Sequence, residues 1–321
     1  MRAPEFWQTN NGLARLLTPF GLMYGAVTAG RIARAQPVRV GVPVICVGNL
    51  TAGGTGKTPV AQAIARHLAA KGHKPAMLLR GYRGRKHTVP VRADPSSHTV
   101  ADVGDEALLH ARNFPVFVSP ERAKAALMAI AEGATALIMD DGHQNPSLAK
   151  NLSLVVVDGM AGFGNGRIMP AGPLREDISA GLKRADAVVL MGDDPRDLAA
   201  RLSERLPVLR ARLVPGPEHR QLARQRVVAF AGIGDPGKFF RSLSAAGAQV
   251  VAKRVFDDHH EFDAADIQPI LDEAYELGAI PVTTAKDAVR LSPDQRQQVN
   301  VLTVTVEWQD TAALDRLLDK I

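Results

Sequence analysis

The sequence predicts an α/β protein: a parallel sheet flanked by helices, followed by a second, smaller α/β unit. Three observations carry this reading. Short aliphatic runs without polar alternation recur along the chain, helical stretches lie between them, and the rhythm breaks near residue 220 before restarting. Such runs suit strands buried on both faces, and their alternation with helices suits βαβ units.

In chain order, strands of the first unit are predicted at residues 42–47, 76–79, 115–118, 136–139, 154–157, 187–190 and 208–213. Helical stretches are predicted at 59–70, 106–112, 121–132 and 196–205. A Pro/Gly/Arg-rich stretch at 215–226 reads as a linker. Beyond it come strands at 227–231, 249–255, 282–284 and 301–304, with helices near 238–246 and 264–277. The expected organisation is a leader at 1–40, a main domain at 41–220 and a smaller α/β domain at 221–321.

A chain of 321 residues suits about two domains. Its 46% hydrophobic and 22% charged content excludes a wholly disordered protein. One cysteine, Cys46, excludes an internal disulfide and a multi-cysteine metal site, and points to a reducing compartment. The net charge of +6 is uneven, because residues 1–40 carry five arginines against Glu5 alone. Phe6, Trp7, Phe20 and Tyr24 share that segment. The basic balance therefore describes an aromatic leader rather than a nucleic-acid-binding surface, and no nucleic-acid partner is expected.

Within the leader, residues 16–30 carry no charge, bracketed by Arg15 and Arg31. A bilayer span needs about 20 apolar residues, so this run is short. Leu13, Leu16, Leu17, Phe20, Met23, Tyr24 and Val27 fall on one helical stripe. The pattern predicts an N-terminal amphipathic helix lying on an anionic membrane surface. The alternative is a core helix docked on its own domain. Arg15 and Pro19 interrupt the apolar region in a way that does not suit a secretory signal.

The strongest chemical signal is Val44-Ile45-Cys46-Val47-Gly48-Asn49-Leu50-Thr51-Ala52-Gly53-Gly54-Thr55-Gly56-Lys57-Thr58-Pro59. A strand runs into a glycine-rich turn and then a helix, the context a P-loop requires. Gly53, Gly54, Thr55 and Gly56 would wrap backbone N–H groups around phosphates of ATP. Lys57 would reach the β/γ-phosphates and the Thr58 hydroxyl would hold Mg²⁺. Thr51 stands where the consensus has glycine. The predicted strand 136–139 ends in Asp140 and Asp141, carboxylates suited to the metal, with Glu106 a further contributor. Two other P-loop classes fit poorly. The guanine-reading Asn-Lys-x-Asp is absent, since Thr284-Ala285-Lys286-Asp287 has the wrong spacing, and Ala52 occupies the signature lysine position of the membrane-partitioning ATPases.

Further motifs follow in order: Arg80-Gly81-Tyr82, Gly104-Asp105-Glu106, Asp140-Asp141-Gly142-His143-Gln144, Gly162-Phe163-Gly164-Asn165-Gly166-Arg167 and Pro170-Ala171-Gly172-Pro173-Leu174-Arg175-Glu176. The second unit adds Ala231-Gly232-Ile233, Asp258-His259-His260 and Thr283-Thr284-Ala285-Lys286-Asp287-Ala288. With these and the P-loop, the chain resembles the tetraacyldisaccharide 4′-kinases nearly end to end. His143, where the family usually carries an aromatic, and the arginine after Tyr82 are local departures.

The resemblance implies transfer of the ATP γ-phosphate to the 4′-hydroxyl of a tetraacylated disaccharide 1-phosphate, a lipid A precursor. It implies work at the cytoplasmic face of a bacterial inner membrane, as a peripheral or monotopic protein. A sugar hydroxyl needs a proton acceptor. Asp105 could be that base or merely a helix cap; the resemblance favours the base, paired with a histidine matched by His259. Catalysis would then rest on Asp105, His259 and Lys57, with closure of the two domains over nucleotide. Asn49, Arg80, Tyr82, Arg175 and Glu176 are expected beside the substrate. The basic loop with Arg80, Tyr82, Arg83 and Arg85 is either a phosphate or headgroup contact or a solvated turn. The 162–173 loop is long enough to cover a ligand. Two other functions use the same features: a membrane-docked regulatory ATPase, and a kinase of a soluble metabolite.

Overall fold

The structure, a computed structural model, describes residues 4–82, 84–85 and 89–321. Val214–Thr305 form one compact unit; the described residues through Leu213, together with Val306–Ile321, form the other. The last sixteen residues, expected in the smaller domain, thus belong to the larger unit.

The larger unit opens with helix α1 (Gly12–Ala33), whose first turn is capped by Asn11 accepting from the Ala14 N–H. A Cβ on Gly21 would lie 2.5 Å from the Ile168 carbonyl oxygen, and one on Gly25 2.7 Å from Ile168 Cδ1. Missing side chains on this face let the helix press against Ile168. Away from that contact, Leu16, Phe20, Leu22, Met23 and Val27 are 56–71% exposed. The apolar stripe is therefore helical, and it faces outward rather than into a core. No described helix is long and apolar enough to cross a membrane.

The sheet strands of this unit are β1 (Val44–Gly48), β2 (Pro75–Leu79), β3 (Val91–Arg92), β4 (Val116–Val118), β5 (Ala136–Asp140), β6 (Leu152–Asp158), β7 (Ala187–Met191) and β8 (Val208–Pro215). β1 lies between β5 and β6, parallel to both. β2 pairs parallel with β5 and β4, β6 with β7, and β7 with β8. β1, β2, β5, β6 and β7 are buried at every position, which is why their sequences are continuous aliphatic runs. Helix α2 (Lys57–Ala70) covers the sheet with Val60, Ala61, Ile64, Ala65 and Leu68, one helical stripe. Ala125, Ala126 and Ala129 of the helix Arg122–Ala131 pack with Val44, Cys46, Leu78 and Leu137. The chain turns from one side of β1 to the other between β5 and β6, so the crevice at the carboxyl ends of these strands is the expected ligand position.

In the smaller unit, β9 (Arg226–Ala231), β10 (Gln249–Val255), β11 (Ile280–Thr284) and β12 (Asn300–Leu302) form a parallel sheet in the order β10-β9-β11-β12. The fully buried Phe230 packs edge-on against Phe262, 5.7 Å between ring centroids. The predicted strand 301–304 is in fact two. At Thr303 the hydroxyl donates to Glu218 Oε1 and the carbonyl accepts from Gly216 N–H, which separates β12 from β13 (Val304–Trp308). β13 joins the nine-stranded sheet beside β8. The terminal helix Thr311–Leu318 follows, its Asp315 meeting His67 Nε2 at 2.8 Å and Lys71 Nζ at 2.6 Å on α2.

Candidate active site

β1 delivers the chain into the glycine-rich loop, and α2 leaves it. Gly56 precedes α2 with φ +92°, a left-handed conformation that disfavours any side chain there. The helix N-terminus it opens, flanked by Lys57 and Thr58, suits an anion. Thr51, at the consensus glycine position, forms an antiparallel bridge with Leu174. That backbone is extended, so it needs no glycine. Flanking bonds run from Ala52 N–H to Pro173 O at 2.7 Å and from Arg175 N–H to Leu50 O at 2.7 Å. The segment 173–175 therefore acts as an outer brace for the phosphate loop.

The two aspartates at the carboxyl end of β5 separate into distinct roles. Register sets Asp140 beside Val47, one residue before the end of β1. Its Oδ2 accepts from Thr58 Oγ1 at 2.8 Å and lies 2.9 Å from His110 Nε2. Oδ1 of Asp140 is buried with no hydrogen-bond partner among the described residues. Asp141 sits at φ +56°, uncommon for a non-glycine residue and the kind of backbone found at functional sites. Arg175 Nη1 donates to both its oxygens, at 2.8 and 2.9 Å, and Lys57 Nζ stands 3.8 Å away. Burial pushes the Asp141 carboxyl up, but Lys57 and Arg175 outweigh it and hold the group below the usual carboxylate range.

Asp105 is buried at the first position of the helix Asp105–Ala111. The cap position belongs to Gly104, and Asp105 Oδ1 accepts from Glu106 N–H at 2.8 Å. A Cβ on Gly104 would lie 2.5 Å from Tyr82 O, so the Arg80-Gly81-Tyr82 segment abuts the Asp105 turn. Tyr82 is 61% exposed and Arg80 is exposed. Arg83 and Lys86 of the basic loop lie outside the described residues.

Asn49 and Glu176, expected beside the substrate, are instead buried inside the loop framework. Asn49 Nδ2 donates to Thr51 O and Thr55 Oγ1, bracing the phosphate loop from within. Gln144 Nε2 donates to Asn49 O at 2.7 Å and to Glu176 Oε1 at 2.9 Å, and Arg184 Nη2 meets both Glu176 oxygens at 2.7 Å. His143 is buried with Nε2 3.0 Å from Gly181 O. Burial first, then Lys150 and Arg184, lowers its pKa to about 4. The 162–173 loop holds the leader: Asn165 Nδ2 donates to Phe6 and Thr9 carbonyls, Arg167 to Asn10 and Thr18 side chains, and Trp7 Nε1 to Pro170 O.

Sequence reasoning missed His110 and Arg122. Arg122 is buried at the start of its helix with Nη1 donating to Ser119 O at 2.6 Å; burial, then Arg80, lowers its pKa to about 10. The only available signal was a basic residue opening a helix just after a buried strand. In the smaller unit His259 has φ +61°, its N–H donates to Gly232 O, and its Nε2 is 3.5 Å from Lys286 Nζ. Asp287 fixes that loop region, accepting from Gly232 N–H, Thr284 Oγ1 and Arg290 Nη1.

This geometry has counterparts. The chain matches the tetraacyldisaccharide-1-P 4′-kinase family over residues 13–321. It belongs to that family. The tetraacyldisaccharide 4′-kinase of Rhodospirillum rubrum is 58% identical over 325 residues, covering 100% of this chain and 98% of its own. The enzyme of the same name from Paramagnetospirillum magneticum is 53% identical, covering 100% and 99%. A crystal structure of LpxK from Aquifex aeolicus in complex with ATP superposes with a TM-score of 0.74 at 25% identity, over 96% of this chain and 99% of that one. Thr51, Asn49 and Glu176 of this tetraacyldisaccharide 4′-kinase family member thus belong to the frame that shapes the phosphate loop.

Proposed function

We propose that this chain transfers the γ-phosphate of ATP to the 4′-hydroxyl of a tetraacyldisaccharide 1-phosphate, a lipid A precursor. The observation that carries the proposal is the pairing of Lys57 and Thr58, on the phosphate loop, with Asp141 and Asp140 at the end of the neighbouring strand. Phosphoryl transfer asks for placement and charge neutralisation more than covalent chemistry, and this set supplies both.

Mg²⁺ fits the residues present. Among the described residues no cluster of three or more His, Cys, Asp or Glu side chains is placed to hold a metal. The Thr58 hydroxyl and the buried, unpartnered Asp140 Oδ1, together with phosphate oxygens of a bound nucleotide, would make up the hard oxygen set that Mg²⁺ prefers. Thr58 and Asp140 would hold the ion, with Glu106 a further contributor; bound there, it would neutralise charge on the β- and γ-phosphates. Lys57 would meet the γ-phosphate, and Arg175 and Asp141 set how far Lys57 is free to do so. Asp105 is proposed as the acceptor of the 4′-hydroxyl proton, supported during turnover by His259; the family resemblance supports both roles. Arg80 and Tyr82, both exposed, are proposed to meet the lipid substrate.

The exposed apolar side of α1, flanked by Arg15 and Arg31, supports attachment to the cytoplasmic face of the inner membrane, where such a substrate would be presented. The test is incubation of the full chain with [γ-³²P]ATP, Mg²⁺ and the disaccharide 1-phosphate in mixed micelles. A labelled bis-phosphorylated lipid is expected; ATP hydrolysis without lipid labelling would reject the proposal.

A further inference from the structure

His110 lies outside every motif that carries the family resemblance, yet it touches the metal pole of the site. It is fully buried near the end of the helix Asp105–Ala111. Its Nε2 is 2.9 Å from Asp140 Oδ2, the oxygen that also accepts from Thr58 Oγ1 at 2.8 Å. A carboxylate only accepts, so Nε2 carries the proton and donates it. Two donors thus converge on one oxygen while the other, Oδ1, stays buried without a partner among the described residues. A bare buried carboxylate oxygen is costly unless something binds it.

The carboxylate torsion of an aspartate is broad and nearly two-fold, so an unrestrained Asp140 would present either oxygen. Thr58 alone is a weak restraint, because its hydroxyl rotates and is itself offered to the ion. A histidine ring packed in the core does not have that freedom. The same helix begins with Asp105, five residues earlier, about 7.5 Å along the axis. One hydrogen bond therefore links the helix carrying the proposed base to the strand end carrying the metal carboxylate.

We infer that His110 is a positioning residue: its Nε2–H holds Asp140 so that Oδ1 points to the cation, and anchors the Asp105 helix to the same strand end. The inference rests on the reading of Asp140 and Thr58 as the Mg²⁺ pole. Outer partners of metal-binding carboxylates typically contribute 10- to 100-fold in metal affinity.

The experiment measures equilibrium Mn²⁺ binding by electron paramagnetic resonance, without turnover, on the full chain saturated with a non-hydrolysable ATP analogue. Wild type is compared with His110→Leu, His110→Gln and Asp140→Asn, and the melting temperature of each is recorded. His110→Leu is expected to weaken Mn²⁺ binding roughly 10-fold or more. His110→Gln, whose amide N–H reaches toward the same position, is expected to retain it within about three-fold. Wild-type affinity in folded His110→Leu, or equal weakening in the Leu and Gln variants, would overturn the inference. If His110→Leu does not fold, His110→Asn replaces it; its amide is too short to reach Asp140 Oδ2, so this variant is expected to bind Mn²⁺ roughly 10-fold more weakly, and parity of the Asn and Gln variants would then overturn the inference. Asp140→Asn separates the two levels. Its loss of Mn²⁺ binding alongside an unaffected His110→Leu sinks the role of His110 alone, whereas wild-type binding by Asp140→Asn sinks the metal pole itself.

Discussion

Arg175 places one guanidinium nitrogen 2.8 and 2.9 Å from the two oxygens of Asp141, while Lys57 waits 3.8 Å from the same carboxylate. Asp141 is thus shared, with its closer bonds going to the arginine. Removing Arg175 would leave Asp141 to close on Lys57 and draw it away from phosphate. Arg175→Ala is expected to weaken ATP binding about 10-fold, consistent with the strength of charge-assisted bonds. Asp141→Asn in the same chain should recover part of that loss by releasing Lys57. Fluorescent-nucleotide titration checks both. A double variant no better than Arg175→Ala would mean that Arg175 contacts the ligand directly instead of governing Lys57.

Asp105 is poised differently, buried at the first position of its helix with Oδ1 accepting from the Glu106 N–H. A group that acts only on the proton in flight should matter for turnover rather than for nucleotide affinity. Asp105→Asn is expected to lower kcat by roughly 10²- to 10⁴-fold, the usual worth of a general base, and to leave the ATP KM near wild type. His259→Ala should lower kcat in the same direction, and the double variant should cost little more than the worse single one. Steady-state kinetics at saturating lipid decide this; additive losses would separate the two residues into unrelated roles.

Elements whose cause is local were legible in the sequence. β1, β5 and the phosphate loop follow from aliphatic runs, glycine spacing and a strand that ends in carboxylates. What escaped depends on partners far along the chain. Thr51 departs from the loop consensus, and the reason is its bridge to Leu174, more than a hundred residues on. Asn49 and Glu176 looked like ligand contacts because polar side chains in a motif suggest a ligand; Gln144 and Arg184 draw them inward. The same is true of Asn165 and Arg167, whose bonds to the leader span some 150 residues of chain. β13 could not be separated from β12 by pattern alone, since the break at Thr303 is made by Glu218 and Gly216.

His143 gives the larger unit a pH dependence. Its pKa in the folded chain is lowered to about 4, from an ordinary 6.5, because burial and the nearby Lys150 and Arg184 disfavour the charged ring. The unfolded chain therefore takes up a proton as pH falls through about 6.5, and the folded chain does so only near 4. Stability contributed by the neutral ring is complete above that window and is lost as pH falls through it. At pH 5 the loss is about 2 kcal/mol relative to pH 7.5. His143→Phe, which keeps a planar ring but cannot take up a proton, should remove this component. Urea unfolding at the two pH values reads it as the difference in midpoint shift between the two proteins; identical shifts would place the titration elsewhere.

Helix α1 has two faces that respond differently to substitution. Gly21 and Gly25 sit against Ile168, so changes there would disrupt packing as well as docking. Phe20 and Val27 are 56% and 68% exposed, so a charge placed on them meets only water in the free protein. On a membrane each would otherwise bury an apolar side chain worth roughly 1.5–3 kcal/mol. Phe20→Glu with Val27→Glu should therefore leave the melting temperature within about 1 °C, in keeping with surface substitutions. The same pair should reduce co-sedimentation with phosphatidylglycerol vesicles by at least about 10-fold. Turnover of lipid presented in vesicles should fall with it, whereas turnover of the same lipid dispersed in detergent should not. Equal loss in both presentations would mean that α1 shapes the active site itself, and unchanged vesicle binding would mean that another surface meets the bilayer.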